Sequence, residues 1–512
     1  MPTASETVLL EVDWDNDGLF AHAQSDITAD ILEIPDYHLG RDSLSTLYGR
    51  STAGGMTVIL DNSGNKYSKN NTGSVLTGLI KPARRVRLSS ATNGGGAVVQ
   101  WHGYLDDIIA QVRAGTAHEA TLFALGPLSR IQARRAYVPP AADVLTSVGV
   151  TSVLDAVGFP AGDRSIDTGL TTMTRHFVEG DFGHDALAQL EETEAGFIRE
   201  TRDAGIAFEN RHHRVLPPHD TVQETYSDLD DGTTIFYEAL EPDMQLKAIA
   251  NIIRAKVRSQ VVASIADLWT LHETGAASPA LGAGQSITMV AEYPTPDAAN
   301  GDIGVSVWED PAATTDYTCN SLANGTGTDR TADLGISTVK GLRTMEITAT
   351  NNGSGRLFIT AMKARGTALQ AQNETLVQHK DTASIASYGE REYLIPAEFI
   401  PNLTECNNYC QYIASLHGAE IPSFPLTYIA NQSQAAMDDA LAREVSDRVH
   451  LVADNATGEG IDDDMFVERI AHSIDRENVH RVNIELSKAS ESFALFIVLD
   501  TGPGLDTGIL AY

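Results

Sequence analysis

Cysteine is scarce, with three residues in a chain of 512. That is too few for a disulfide scaffold and points to synthesis in a reducing compartment. No run of about 20 apolar residues occurs, so a membrane-spanning helix is excluded. Positive charge is also short: 36 Lys and Arg stand against 69 Asp and Glu, a formal net charge of −33. This excludes a chain that wraps nucleic acid, because neutralising phosphates needs Lys and Arg. It fits solubility at high salt, cation binding, or repulsion of an anion such as DNA. The opening, residues 1–15, lacks a basic segment followed by an apolar one, so no secretory signal is expected. What is present is a 42% hydrophobic share, enough to build ordinary cores. The length predicts roughly three to four domains of about 150 residues.

Glycine, Asn, Thr and Ser punctuate alternating apolar runs along most of the chain. This pattern predicts a mainly β, multidomain protein of sandwiches or barrels. Residues 1–135 read as a first β-domain, with strands at 7–12, 56–60, 84–88, 98–104, 108–112 and 120–125. Turns are expected at 61–64 and 93–96. Residues 136–215 read as a small α+β domain, opened by Pro139-Pro140. Helices are expected at 141–148, 152–157 and 183–195, the last capped by Asp181. A hairpin is expected between 196–200 and 206–210. Residues 216–260 return to β structure, and 261–370 read as a polar, β-rich, sandwich-like insertion. A second β-domain is expected over 371–512, with one helix at 404–416 and strands at 449–452, 465–472, 481–486 and 495–499.

The sharpest local motif is Asp13-Trp14-Asp15-Asn16-Asp17-Gly18. Carboxylates at alternate positions followed by glycine match the first half of a calcium loop, since hard cations take oxygen ligands. Asp13, Asp15 and Asp17 are therefore the expected ligands of a structural Ca²⁺ or Mg²⁺, with Asp26 available late in the loop. The twelfth position is Gln24, not Glu, so this is no EF-hand; a solvated turn is the other reading. Cys406 and Cys410 share a helical face and read as buried apolar residues. Arg211-His212-His213-Arg214 reads as a hairpin edge, with a metal or anion site as the sharper alternative. Arg84, Arg85, Arg87, Arg130, Arg134 and Arg135 are the dense basic groups, placed either at an acidic subunit interface or on open surface. Asp462, Asp463 and Asp464 read as a solvated acidic loop. No nucleophile elbow, zinc-protease motif, phosphate loop or dinucleotide fingerprint occurs, so no enzymatic activity is expected.

The order of several phrases carries a resemblance. Leu10-Glu11-Val12-Asp13-Trp14-Asp15-Asn16-Asp17-Gly18 is followed by Gly40-Arg41-Asp42 and Gly49-Arg50-Ser51-Thr52-Ala53-Gly54. Then come residues 60–68, 78–87, Trp101-His102-Gly103-Tyr104-Leu105-Asp106-Asp107-Ile108 and Ala124-Leu125-Gly126-Pro127-Leu128. Residues 154–160, 186–191, 194–197 and 251–257 continue the series, and 387–392 and 482–487 close it. Read in order, these resemble the tail-tip or baseplate hub proteins of long-tailed phages, related in architecture to contractile-tail hubs and the trunk of type VI secretion spikes. The resemblance covers most of 6–260 and 371–512 and leaves the insertion unexplained.

It implies two related β-barrels, 1–135 and 371–512, and a homotrimer that presents six barrels around one axis through heterologous interfaces. It implies a tail-tip location in the virion after assembly in the host cytoplasm. The implied partners are a distal tail or tube protein, a tape-measure protein, and a fibre or spike protein. Viral DNA would cross the lumen unbound, and an acidic wall suits that passage. The chain reaches Tyr512 without a peptidoglycan-cutting domain, so no lytic role is expected. A second reading is a carbohydrate- or receptor-binding adhesin, with Trp269, Tyr293, Trp308 and Tyr317 of the insertion stacking on sugars. A third, a secreted glycosidase, is disfavoured by the expected absence of a signal.

Overall fold

The computed structural model describes residues 4, 6–41, 52–92, 95–111, 118–244, 249–257, 260–272, 277–293, 302–371, 374–395, 399–400, 403–419 and 422–489. The fold is mainly β and multidomain, with several mixed sheets. Residues 49–51 of the second resemblance phrase and the expected strand 495–499 lie outside the described residues.

Fourteen strands form one curled sheet. Its first half contains β1 (Glu6–Val12), β2 (Ile31–Gly40), β3 (Gly55–Asp61), β4 (Arg85–Thr92), β5 (Val98–Ala110) and β6 (Glu119–Leu125). The spatial order is β1-β4-β5-β6-β3-β2, antiparallel throughout. Alternation along each strand turns Leu10, Val58, Leu88, Trp101 and Leu122 inward, where they are fully buried. Each such side chain contributes about 1.5–3 kcal/mol by leaving water. The free edge of β1 takes main-chain bonds with residues 25–27 (Val12 N to Ser25 O, 2.9 Å; Ile27 N to Leu10 O, 3.0 Å), so the sheet curls back on itself. The two strands expected at 98–104 and 108–112 are one, β5, bent by a register shift between Leu105 and Asp107.

The outer edge of β2 pairs with strand Ile461–Ile474, and this ladder joins the two halves. Gly40 sits in it at φ +143°, where a Cβ would meet the Arg469 Cα at 2.5 Å, so only glycine closes the ladder there. Strand Ile461–Ile474 also pairs with Arg448–Ala453 and His480–Lys488. Thr225–Ser227 lies parallel to Arg448–Ala453, and Pro422–Ile429 flanks His480–Lys488. Residues 235–244 run between those outer strands: Ile235–Phe236 pairs with Thr225–Ser227, while Ala239–Leu240 and Asp243–Met244 pair with Pro422–Ile429. Helix Gln434–Ala442, capped by Ser433, buries Ala436, Met437 and Ala440 in the core of this half.

Between the halves lies an α+β unit. Strand Arg135–Leu145 pairs with Thr172–Phe182, and helices Thr146–Ala156 and Gly183–Glu194 pack on them. The expected helix at 141–148 is thus a strand up to Leu145. Its Pro139-Pro140 pair falls at a register shift, where missing N–H groups do no harm. Helix Gly183–Glu194 starts at Phe182 with no side-chain cap, not at Asp181. The expected hairpin is present as Phe197–Glu200 against Ile206–Glu209.

Helix Leu403–His417 packs on a separate three-stranded sheet in which Ile252–Val257 lies between Thr375–Lys380 and Glu392–Ile395. Val257 opposes Thr375 across that sheet. The insertion leaves and re-enters at this pair. It packs a five-stranded sheet against a three-stranded one around its own core, which includes Trp308, Ile347 and Ile359.

Candidate functional site: a buried ionic junction between three units

Where the two β halves meet the α+β unit, charged side chains replace an apolar core. Strand Ile206–Glu209 ends in a short helical turn, His213–Val215. The Arg211–Arg214 group is therefore not a hairpin edge. The turn aims Arg214 inward, where it is 6% exposed. Its guanidinium donates to both Glu468 oxygens, at 2.6 and 3.0 Å, in a bidentate pair. Arg41, at the end of β2, pairs with the same carboxylate. The Ser487 hydroxyl donates to it at 2.6 Å. The Ser446 hydroxyl donates to Glu209 at 2.6 Å, and Arg199 pairs with Glu209 from the adjoining strand.

One network thus holds β2, the α+β unit and the closing strands. Burial raises the cost of charge on each member, and neighbours offset it. Burial lowers Arg41, and Arg214 beside it lowers it further. Burial brings Arg214 down to about 10 against the pull of Glu209. Burial pushes Glu209 up, but Arg199, His213 and Ser446 together hold it at about 2.

Around this centre the remaining members of the turn are also engaged. Arg211 lies 3.4 Å from fully buried Glu194 and donates to the Thr171 hydroxyl at 2.7 Å. His213 meets Asp167 at 2.8 Å. Above it, Glu200 accepts from the Gly54 and Leu128 N–H groups at 2.7 and 2.6 Å, tying the first half to the hairpin. Burial, only partly opposed by those bonds, pushes Glu200 up to about 8. Sequence reasoning missed this junction except for the Arg211-His212-His213-Arg214 group.

The Asp13 carboxylate is buried and turned onto its own loop. It accepts from Asn16 N at 2.8 Å, Asp17 N at 3.3 Å and Gly18 N at 2.9 Å. Asp15 and Asp17 are exposed, and Asp17 accepts from Leu19 N. Among the described residues no group of three or more His, Cys, Asp or Glu could hold a metal ion. Cys406 and Cys410 are free and buried on one helix face.

Asp462, Asp463 and Asp464 are not in a loop but in strand Ile461–Ile474. Asp462 and Asp464 hold His450, Asp464 also pairs with Arg448, and Asp463 with Lys488. The basic groups are spread out: Arg87 pairs with Glu11 at 2.6 Å, Arg130 covers the Tyr104 ring, and Arg135 covers Phe182. In the insertion, Trp308 and Tyr317 are core residues, and Trp269 and Tyr293 pack against them. Trp308 and Tyr317 are buried and Trp269 and Tyr293 half-buried, so none of the four is a fully exposed ring.

The chain is similar in fold to phage tail proteins and to type VI secretion components. One is a 43 kDa prophage tail protein from Shewanella oneidensis, at 10% identity and a TM-score of 0.45 over 94% of this chain and 98% of that one. Another is a tail protein from Neisseria meningitidis, at 9% identity and a TM-score of 0.48 over 95% and 97% of the two chains. A type VI secretion component from E. coli matches at 7% identity and a TM-score of 0.41 over 94% and 77%. No family model and no curated protein matches the sequence.

Proposed function

We propose that this chain is a structural virion protein, the hub of a phage tail tip or baseplate, and not an enzyme. The observation that carries the reading is the curled sheet, in which two β halves are joined through β2 and locked by the Glu468 junction. The collinear phrases of the sequence support it.

In this reading each half is a β-barrel. The bonds of residues 25–27 to β1, and the pairing of residues 235–244 with the outer strands of the second half, support this reading. Three copies then form a pseudo-sixfold ring through heterologous contacts. The ring continues the tail tube, meets a tape-measure protein inside, and carries a fibre or spike below. DNA passes through without specific contacts. A rigid relation between the halves is what such a ring needs, because an angular error in each subunit would stop closure.

Cryo-electron microscopy of the purified chain, with and without tube protein, tests this. A threefold ring of six similar barrels is the expected result. Elongated trimers without a ring, or monomers that stay monomeric on tube ends, would overturn it. The adhesin reading loses its motive, because its four aromatics are core or packed against core.

A further inference from the structure

The ladder joining the two halves encloses a second polar group, separate from the Glu468 junction. Tyr37 on β2 lies opposite His472 of strand Ile461–Ile474. Their rings stack at 4.5 Å with 2° between planes. His472 Nδ1 lies 3.0 Å from His480 Nε2, and His480 Nδ1 lies 2.8 Å from Glu6 Oε2 on β1. Glu6 thus reaches from the first half into the second. His472 is 5% exposed and His480 fully buried.

We propose that this Glu6–His480–His472 chain, stacked on Tyr37, is an acid-released latch between the two β halves. The argument is one of proton counting. Glu6, as a carboxylate, accepts from His480 Nδ1–H. The contact between the two imidazoles then needs one N–H and one lone pair. The two rings can share a single added proton and keep their bond. A second added proton sets two N–H groups against each other at 3.0 Å.

The other charged groups around His472 are Arg199, Arg202 and Arg443 and the carboxylic groups of Glu200 and Glu444, and of these Arg202 acts on it. Arg202, from the turn after strand Phe197–Glu200, adds a like charge. Tyr37 offers only a ring face, and its hydroxyl is buried without a partner. Burial first, then His480, then Arg202 hold His472 well below the usual histidine range. A cleft lined by Tyr37, Arg199, Glu200, Arg202, Glu444 and His472 opens onto this side, a route by which protons reach the outer ring.

The sign follows. The unfolded or opened chain binds a proton on His472 near its ordinary value, and the closed seam does not, so stability falls as pH drops below about 6.5. One extra proton per opening predicts an opening equilibrium that rises about tenfold per pH unit in that range.

Hydrogen exchange on the full chain, normalised for intrinsic rates, reads this directly. Below pH 6, protection in β2 and Ile461–Ile474 is expected to fall by about tenfold per pH unit, while β5 and β6 hold theirs. Uniform loss across both sets, or none, would overturn the latch. His472→Phe keeps a stacked ring and removes the proton, and its seam is expected to ignore pH from 7 to 5. Equal acid loss in that variant would also overturn it. Should the variant fail to fold, imidazole titration by NMR in the native chain decides: two protonated rings at pH 5 with an intact seam would refute the proposal.

Discussion

The body, made of the two β halves and the α+β unit, and the insertion are held by opposite means. In the body, three units share buried ion pairs, and Glu209, Glu468 and Glu194 are nearly or wholly inaccessible. In the insertion, Trp308, Ile347 and Ile359 form a self-contained core, the pairs Lys340–Asp310, Lys363–Asp267 and Arg330–Asp333 lie at its rim, and buried Asp316 is met by the partly exposed Arg365. The insertion is tied to the body by a two-stranded ribbon and by contacts such as Arg175 to Ser306 at 2.9 Å. A buried ionic junction fixes orientation and fails badly when one partner goes. An apolar sandwich on a ribbon is an independent unit whose failure stays local.

The largest effect should come from Glu468→Ala. It leaves Arg41 and Arg214 buried without their carboxylate, a loss of about 3–5 kcal/mol. Urea unfolding should show it in the body, with the insertion's transition unmoved. Trp308→Ala inverts the comparison: a cavity costing about 3–5 kcal/mol should open in the insertion alone. Exchange protection in strand Thr344–Asn351 should drop while β2 keeps its own.

Acid sharpens the contrast further. Glu209 is held at about 2, so its contribution is whole above the ordinary carboxylate value near 4.5 and is lost as pH falls through 2. That is about 3 kcal/mol over the range. Glu209→Gln should flatten the acid limb of the body's stability curve. Replacing residues 258–373 by a short Gly-Ser turn should leave the body's urea midpoint unchanged, because Val257 and Thr375 are already opposed. Ca²⁺ should have the least effect of all. With Asp13 engaged by three backbone N–H groups, melting temperatures with and without Ca²⁺ should coincide.

Much of the β pattern was legible because it is local. Alternation located β1, β3, β6 and the strands near 449–486, and the hairpin expected between 196–200 and 206–210 is there. The seam strand β2 was not read, because Pro35 interrupts its alternation at a pair of register shifts. The junction was illegible for a different reason. Arg214 and Glu468 are separated by 254 positions, and nothing in the local composition links them. Its acidic members also disappear among 69 carboxylates. The calcium-loop pattern is ambiguous in the other direction: glycine and aspartate at those spacings also suit a loop that closes on its own amides, as Asp13 does.

The ladder between β2 and Ile461–Ile474 has a mechanical consequence. A pull directed along the strands loads its hydrogen bonds in parallel, as shear, so they must yield together. A pull directed across them peels the bonds one at a time from an end. The direction in which force reaches a subunit therefore sets its strength as much as the number of bonds does. At the Arg469 end of that ladder, the close approach at Gly40 and the Arg41–Glu468 pair guard the point where peeling would start.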